Sequence, residues 1–155
     1  MYKKFCYLAA SVLGAGFFPK APGTMGSAVG VLLSFVCFSY SGITGVWSLA
    51  LVSFVLGVFA TKEVLKHTKH DPSFVVVDEV CGQALSFVFV SQYLNIWWVY
   101  LIGFLLFRLF DIVKIGPVKW ADEKVANEYG VMLDDVFAGF ISAVLLFFIT
   151  NVWFS

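Results

Sequence analysis

Charge is what this chain has least of. Only 13% of its 155 residues are Asp, Glu, Lys or Arg, against 61% hydrophobic residues, and its mean hydropathy is +0.92. A soluble domain of this length needs far more polar cover, so a soluble fold is excluded and a membrane protein is expected. Ten basic residues balance ten acidic ones, which leaves no net basic charge to attract nucleic acid, and none is expected as a partner. Cysteine is scarce as well. Cys6, Cys37 and Cys81 are odd in number and far apart, which excludes a disulfide frame and any zinc spacing. Cys81 stands near Asp78 and Glu79, but no His or Arg at a fixed short spacing would activate it, so it reads as structural. Histidine is limited to His67 and His70, both read as surface residues. Internal repeats, low-complexity stretches and a separate soluble portion are all lacking, so residues 1–155 read as a single integral-membrane domain.

What charge there is falls in three places: Lys3, Lys4 and Lys20; Lys62 to Glu79; and Arg108 to Asp135. Between and after these lie charge-free runs at 21–61, 80–107 and 136–155. About 20 apolar residues cross the hydrocarbon as a helix, so the first run predicts two crossings with a turn near 41–45, and the last predicts one. The middle run admits one long helix or a hairpin turning near Ser91, Gln92 and Asn95. The hairpin, with arms at 74–92 and 95–114, is preferred because "SQYLN" supplies a polar turn. Residues 5–18 are apolar but short and bracketed by lysines. A signal peptide has that shape, yet a membrane-embedded body follows directly, so a re-entrant or interfacial helix is expected. The predicted fold is therefore all-α: a polytopic helical membrane protein with about five transmembrane helices and a short N-terminal re-entrant or interfacial helix. All Lys and Arg then lie on one face, which the positive-inside rule makes cytoplasmic.

Three polar clusters occupy that face. The first, "FPKAPGTMGSAVG" (18–30), breaks the helix at its prolines and glycines and caps the next one at Thr24 or Ser27. Such a loop is either a plain cap or an anion site, in which free N–H groups and a helix dipole meet Lys20. In the second, "HDPSFVVVDE" (70–79), Asp71 and Pro72 start a helix that carries Asp78 and Glu79 two turns further, at the mouth of an apolar run. The third holds Arg108, Asp111 and Lys114, spaced three apart on one helical face and able to neutralise one another. Asp134 and Asp135 then open the final apolar helix. Acids at the ends of different apolar helices are expensive unless something compensates them. Oxygen ligands converging at one depth suit Mg²⁺ or Mn²⁺. Lys20, Arg108 and Lys114 at the same level would complete a phosphate pocket, which suggests phosphate-ester chemistry on a lipid.

These four segments, in this order, resemble the phosphatidylglycerophosphatase A family of bacterial membrane enzymes. "FPKAPGTMGS" is similar to the family's SPxxPGTxGS, and "DPSFVVVDEVCG" to its Asp-Glu motif followed by glycine. "FRLFDIVKIGPVKWAD" resembles its F-R-x-x-D-x-x-K-P segment with a further aspartate downstream, and "GVMLDDVFAG" its G-I-M-x-D-D-x-x-A-G. This chain departs from the pattern at Phe18, at Ile115 and Gly116 after Lys114, and at the loop before the acid pair, where only Gly130 remains. The resemblance implies Mg²⁺-dependent hydrolysis of the phosphate monoester of phosphatidylglycerophosphate to phosphatidylglycerol and phosphate, at the cytoplasmic face of the bacterial inner membrane. It implies catalytic roles for Asp78, Glu79, Asp111, Asp134 and Asp135, with metal coordination by Asp78, Glu79, Asp134 and Asp135. Lys20, Thr24, Arg108 and Lys114 would bind the substrate. Asp111 has two roles open to it, ligand or partner of the neighbouring cations. Water is the expected nucleophile, with an aspartyl-phosphate through Asp78 or Asp111 as the alternative. The chain has no DxDxT motif, no Cys-x5-Arg arrangement and no phosphohistidine-type histidine set. An ion- or lipid-translocating protein is the rival reading, since intramembrane acids also mark translocation paths. It predicts acids near the bilayer midplane, whereas these flank the apolar runs.

Overall fold

A computed structural model describes residues 2–68, 72–125 and 127–154, and every element in it is helical. In chain order the α-helices are α1 (Tyr2–Ala10), α2 (Pro22–Leu65), α3 (Val77–Leu85), α4 (Trp97–Val113), α5 (Pro117–Lys124) and α6 (Glu128–Phe154), with single 3₁₀ turns at Ala15–Phe17 and Ser91–Tyr93. His70 and Asp71, which the sequence placed in a turn ahead of α3, lie outside the described residues.

α2 starts where Pro22, whose ring presets a helical φ, follows Ala21 in the left-handed region (φ 53°, ψ 61°). Inside it Gly42 takes φ 59° and ψ −150°, a backbone that only glycine adopts readily. The chain doubles back there. Gly45 lies so close to the Cys37 carbonyl that a Cβ would not fit, whereas eight residues of straight helix would separate the two by about 12 Å. The reversal falls within the turn read at 41–45.

The expectation of about five transmembrane helices is not met. Among the described residues two helices are long and apolar enough to cross a membrane, α2 and α6. The middle run is the source of the error. Its first arm, read as 74–92, is helical only from Val77 to Leu85, and the chain then winds through turns to Ser91–Tyr93. Its second arm, α4, has 17 residues. α3 is apolar for another reason than lipid contact: seven of its nine residues are buried by other helices. A helix enclosed on all sides and a helix bathed in lipid read alike in sequence.

α3 is thus the centre of the molecule. α2 packs along it through Gly26, which touches Val76 and Glu79, and Gly30, which touches Val80 and Gln83, with no room for a side chain at either glycine. Small residues of this kind let helix backbones approach closely. α1 lays Cys6 and Ala10 against Ala60 and Val64 of α2, and its last carbonyl accepts the Val76 N–H at 2.8 Å just ahead of α3. α4, α5 and α6 meet at Phe107, Val118 and Ala138. The two ends of the bundle differ. At one, Tyr93 and Trp98 stack with Phe154 at the end of α6. The described ion pairs gather at the other, among them Lys62 with Glu128, Arg108 with Asp111, and Lys114 with Asp122 and Asp134.

Candidate active site

Two acid pairs, one in the first turn of α3 and one nearly two turns into α6, use the same local device. Asp78 Oδ1 accepts the N–H of Glu79 at 3.0 Å, and Asp134 Oδ1 accepts the N–H of Asp135 at 2.9 Å. In each case the first carboxylate binds the backbone N–H of the second residue. α3 and α6 then cross in backbone contact. A Cβ on Gly139 would strike the Gly82 carbonyl, and one on Gly82 would lie 2.5 Å from the Asp135 carbonyl oxygen. This crossing delivers Asp135 to α3, where carboxylate oxygens of Asp78, Glu79 and Asp135 all lie within 4.8 Å of one another. Residues 79 and 135, far apart in the chain, are neighbours. Asp78 and Asp135 are 7% and 3% exposed, and Glu79 Oε2 is fully enclosed without a hydrogen-bond partner.

The positive side of the site comes from α4 and the first turn of α2. Arg108 pairs with Asp111, one turn on, and donates to Ser27 Oγ at 3.3 Å. Gly23 closes over both signs of charge: a Cβ there would meet Glu79 Oε1 and lie 3.3 Å from each terminal nitrogen of Arg108. The N-terminal turn of α2, whose first N–H groups have no intrahelical acceptor, therefore covers the Glu79–Arg108 edge. Thr24 is half-buried in that turn, and Lys20 is exposed just before it.

Lys114 is placed by an unusual backbone. It ends α4 in the left-handed region (φ 46°, ψ 65°), its N–H bound to the Phe110 carbonyl, and Gly116 (φ 57°) and Pro117 then start α5. Helices often end in such a conformation, but usually on glycine. The turn sends the Lys114 ammonium to Asp122 on α5 and, at 3.0 Å, to Asp134 on α6. Arg108, Asp111 and Lys114 do not form one mutual cluster: Arg108 takes Asp111, and Lys114 takes the other two acids. Asp134, expected among the metal ligands, stands outside the close trio and faces Lys114.

These surroundings shift several groups. Burial, followed by the charges of Asp135 and Asp111, pushes the Glu79 carboxyl up to about 8 against the opposing effects of Asp78 and Arg108. Burial disfavours the charge on Lys114, but the hydrogen bonds and charges of Asp122 and Asp134 outweigh it and hold the ammonium above its ordinary range. Burial drives the Cys81 thiol up to about 12. Its Sγ donates to the Ala50 carbonyl at 3.4 Å, an inert packing role. The trio offers only carboxylate oxygens, clustered and buried, one of them lacking any partner. That donor set fits a hard divalent cation such as Mg²⁺ or Mn²⁺ and offers nothing to a soft one.

Comparison with known proteins bears on what such a site serves. The family profile of Phosphatidylglycerophosphatase A matches residues 8–150. The chain belongs to the phosphatidylglycerophosphatase A family. A Phosphatidylglycerophosphatase A from Haemophilus influenzae is 34% identical over 149 residues, 95% of this chain and 89% of that protein. The Escherichia coli Phosphatidylglycerophosphatase A is 33% identical over 152 residues, 95% of this chain and 84% of the relative. A Bacteroides thetaiotaomicron protein, provisionally named a phosphatidylinositol-3-phosphatase, is 35% identical over 144 residues, 90% of this chain and 89% of its own length. No solved structure matches.

As a member of the phosphatidylglycerophosphatase A family, the chain departs from the motif pattern at 115–116, where the backbone turns Lys114 toward α5 and α6. Three residues at the site escaped the sequence reading of roles. Asp122 is the downstream aspartate of the third motif and now proves to be a partner of Lys114. Ser27, expected as a cap, lies inside α2, whose N-cap is Ala21 with no side-chain capping bond; its hydroxyl accepts from Arg108 while donating to the Gly23 carbonyl at 2.8 Å. Gln83 is wholly buried one turn past Glu79. Its place in an otherwise apolar run was the available signal.

Proposed function

We propose that this chain hydrolyses the terminal phosphate monoester of phosphatidylglycerophosphate, releasing phosphatidylglycerol and inorganic phosphate, as a Mg²⁺-dependent integral-membrane phosphatase domain. The supporting observation is the buried trio of Asp78, Glu79 and Asp135, whose oxygens lie within 4.8 Å of one another beside Arg108 and the N-terminal turn of α2. Asp78, Glu79 and Asp135 would hold the cation, which when bound supplies Lewis-acid stabilisation of phosphoryl charge and a lowered pKa for water.

The chain's own groups account for the rest. Arg108 presents a planar fork to the phosphoryl oxygens, anchored through one terminal nitrogen that reaches both Asp111 and Ser27. Asp111 is thus assigned to orienting Arg108. The N–H groups at Gly23 and Thr24 add fixed dipoles where negative charge builds up. Lys114, anchored by Asp122 and Asp134, sets positive charge beside the trio, and exposed Lys20 attracts the anionic headgroup from solution. Water attacks phosphorus, the P–O bond to glycerol breaks, and the departing alkoxide is protonated. A carboxylate oxygen of the trio not engaged by the cation takes the water's proton and passes it to the departing alkoxide. The gathering of ion pairs at one end of the bundle supports a site at the cytoplasmic face of the bacterial inner membrane, since basic residues favour that side.

The test is phosphate release by the purified protein in detergent, with phosphatidylglycerophosphate and phosphatidylinositol 3-phosphate as parallel substrates. Release from the former, lost on chelation and in Asp78→Asn, is expected. Undiminished release after both treatments, or preference for the inositol lipid, would overturn the proposal. A single cysteine at Lys119 should react with an impermeant thiol reagent only from the cytoplasmic side.

A further inference from the structure

Gln83 is the polar residue in α3 that the proposed reaction leaves without a task. It stands one helical turn beyond Glu79, so the two side chains share a face. It is 0% exposed, yet neither its Oε1 nor its Nε2 has a hydrogen-bond partner. Enclosing an unpaired carboxamide is costly, whereas Leu or Met of similar volume would occupy the same space at no such penalty. The stem of the side chain is fixed, because Gly30 of α2 packs directly on its Cβ and Cγ. The orphaned amide therefore does not reflect a loose fit. Nor is it isolated: Glu79 Oε2, and the Nε of Arg108 beside Glu79, are equally enclosed and unpaired. Glu79 belongs to the carboxylate trio, Arg108 lies beside it, and Gln83 follows Glu79 by one turn on the same face of α3. Of the three, the amide alone offers both a donor and an acceptor.

We propose that Gln83 is a positioning residue of the cation site, its carboxamide hydrogen-bonding to the oxygen shell of a divalent cation held by Asp78, Glu79 and Asp135. The inference rests on the cation reading of that trio. Residues that orient ligand oxygens influence both affinity and geometry without touching the ion. In the absence of the cation the amide is a liability, and in its presence it is satisfied. This predicts opposite effects of one substitution on two measurements.

The experiment compares the full-length wild type with Gln83→Leu in detergent. It uses Mn²⁺ as probe, titrated calorimetrically and by its paramagnetic resonance signal, with thermal melting recorded before and after addition. Gln83→Leu should melt at the same or a higher temperature than wild type without the cation. It should bind Mn²⁺ on the order of 10-fold more weakly, with a smaller Mn²⁺-induced rise in Tm and a changed resonance spectrum. Wild-type Mn²⁺ affinity in the variant would overturn the proposal alone. So would a lowered melting point without the cation, since the amide would then be serving a structural partner. No Mn²⁺ binding by the wild type would overturn the cation reading and this inference with it. Should Gln83→Leu fail to fold, Gln83→Met, unbranched and of equal length, carries the same readouts.

Discussion

Substituting Gly82 by alanine tests the helix crossing on which the site depends. The new Cβ would lie 2.5 Å from the Asp135 carbonyl oxygen and 2.5 Å from a ring carbon of Phe107, whereas ordinary contact begins at 3.4 Å. Phe107 can swing. The Asp135 carbonyl is backbone and can move only with α6, which must retreat by about 0.9 Å in a close-packed interior. Cation–oxygen bonds tolerate departures of about 0.2 Å, so the retreat separates Asp135 from Asp78 and Glu79 by several times that tolerance. Misplacement on the order of 1 Å at a reacting centre costs about 100-fold in rate, while the overpacking itself destabilises by about 1–3 kcal/mol. Gly103→Ala provides the contrast, because its Cβ would press on the side chains of Phe87 and Leu146 in the apolar cluster away from the acids. Both variants should melt earlier, and Gly82→Ala should lose about 100-fold in kcat while Gly103→Ala loses far less. The measurement is phosphate release from phosphatidylglycerophosphate at saturating Mg²⁺, alongside thermal melting. Equal losses in the two variants, or wild-type kcat in a folded Gly82→Ala, would refute the reasoning.

Other outcomes follow from the same geometry. Because the Glu79 carboxyl is raised to about 8, a cation entering the trio must displace a proton below that pH. Apparent Mn²⁺ affinity should then climb as the pH rises through neutrality; a flat titration between about pH 6 and 9 would contradict this. The same raised value means that the cation-free protein loses stability as pH rises from the unfolded carboxyl range toward 8, because folding favours the protonated form. Arg108→Lys keeps the charge but loses the planar fork, of which one nitrogen binds both Asp111 and Ser27 and the other is left for substrate. It should therefore reduce kcat/KM by about tenfold or more, read from initial rates. Lys114→Met should raise KM by about tenfold for the loss of one charge-assisted contact. It should also lower the melting temperature, since Asp134, 7% exposed, is left as a buried carboxylate without its ammonium.

The residue types gathered at the site were largely written along the chain, and their arrangement was not. Scarcity of charge and the three polar clusters were enough to reach an all-helical membrane protein with acids and cations at one end, because both are properties of residue type and local spacing. The reversal at Gly42 was equally legible, as a turn between two long apolar stretches. The number of crossing helices was misjudged, since a helix buried among protein and one buried in lipid present the same apolar run, and only the packing around α3 separates them. Membership of the trio was likewise a tertiary matter. Asp134 and Asp135 are adjacent in sequence, but successive residues on a helix point about 100° apart, so one faces Lys114 and the other faces α3. Which one meets Asp78 and Glu79 was settled by the bare backbone contact between Gly82 and Gly139, a distance that no local pattern encodes.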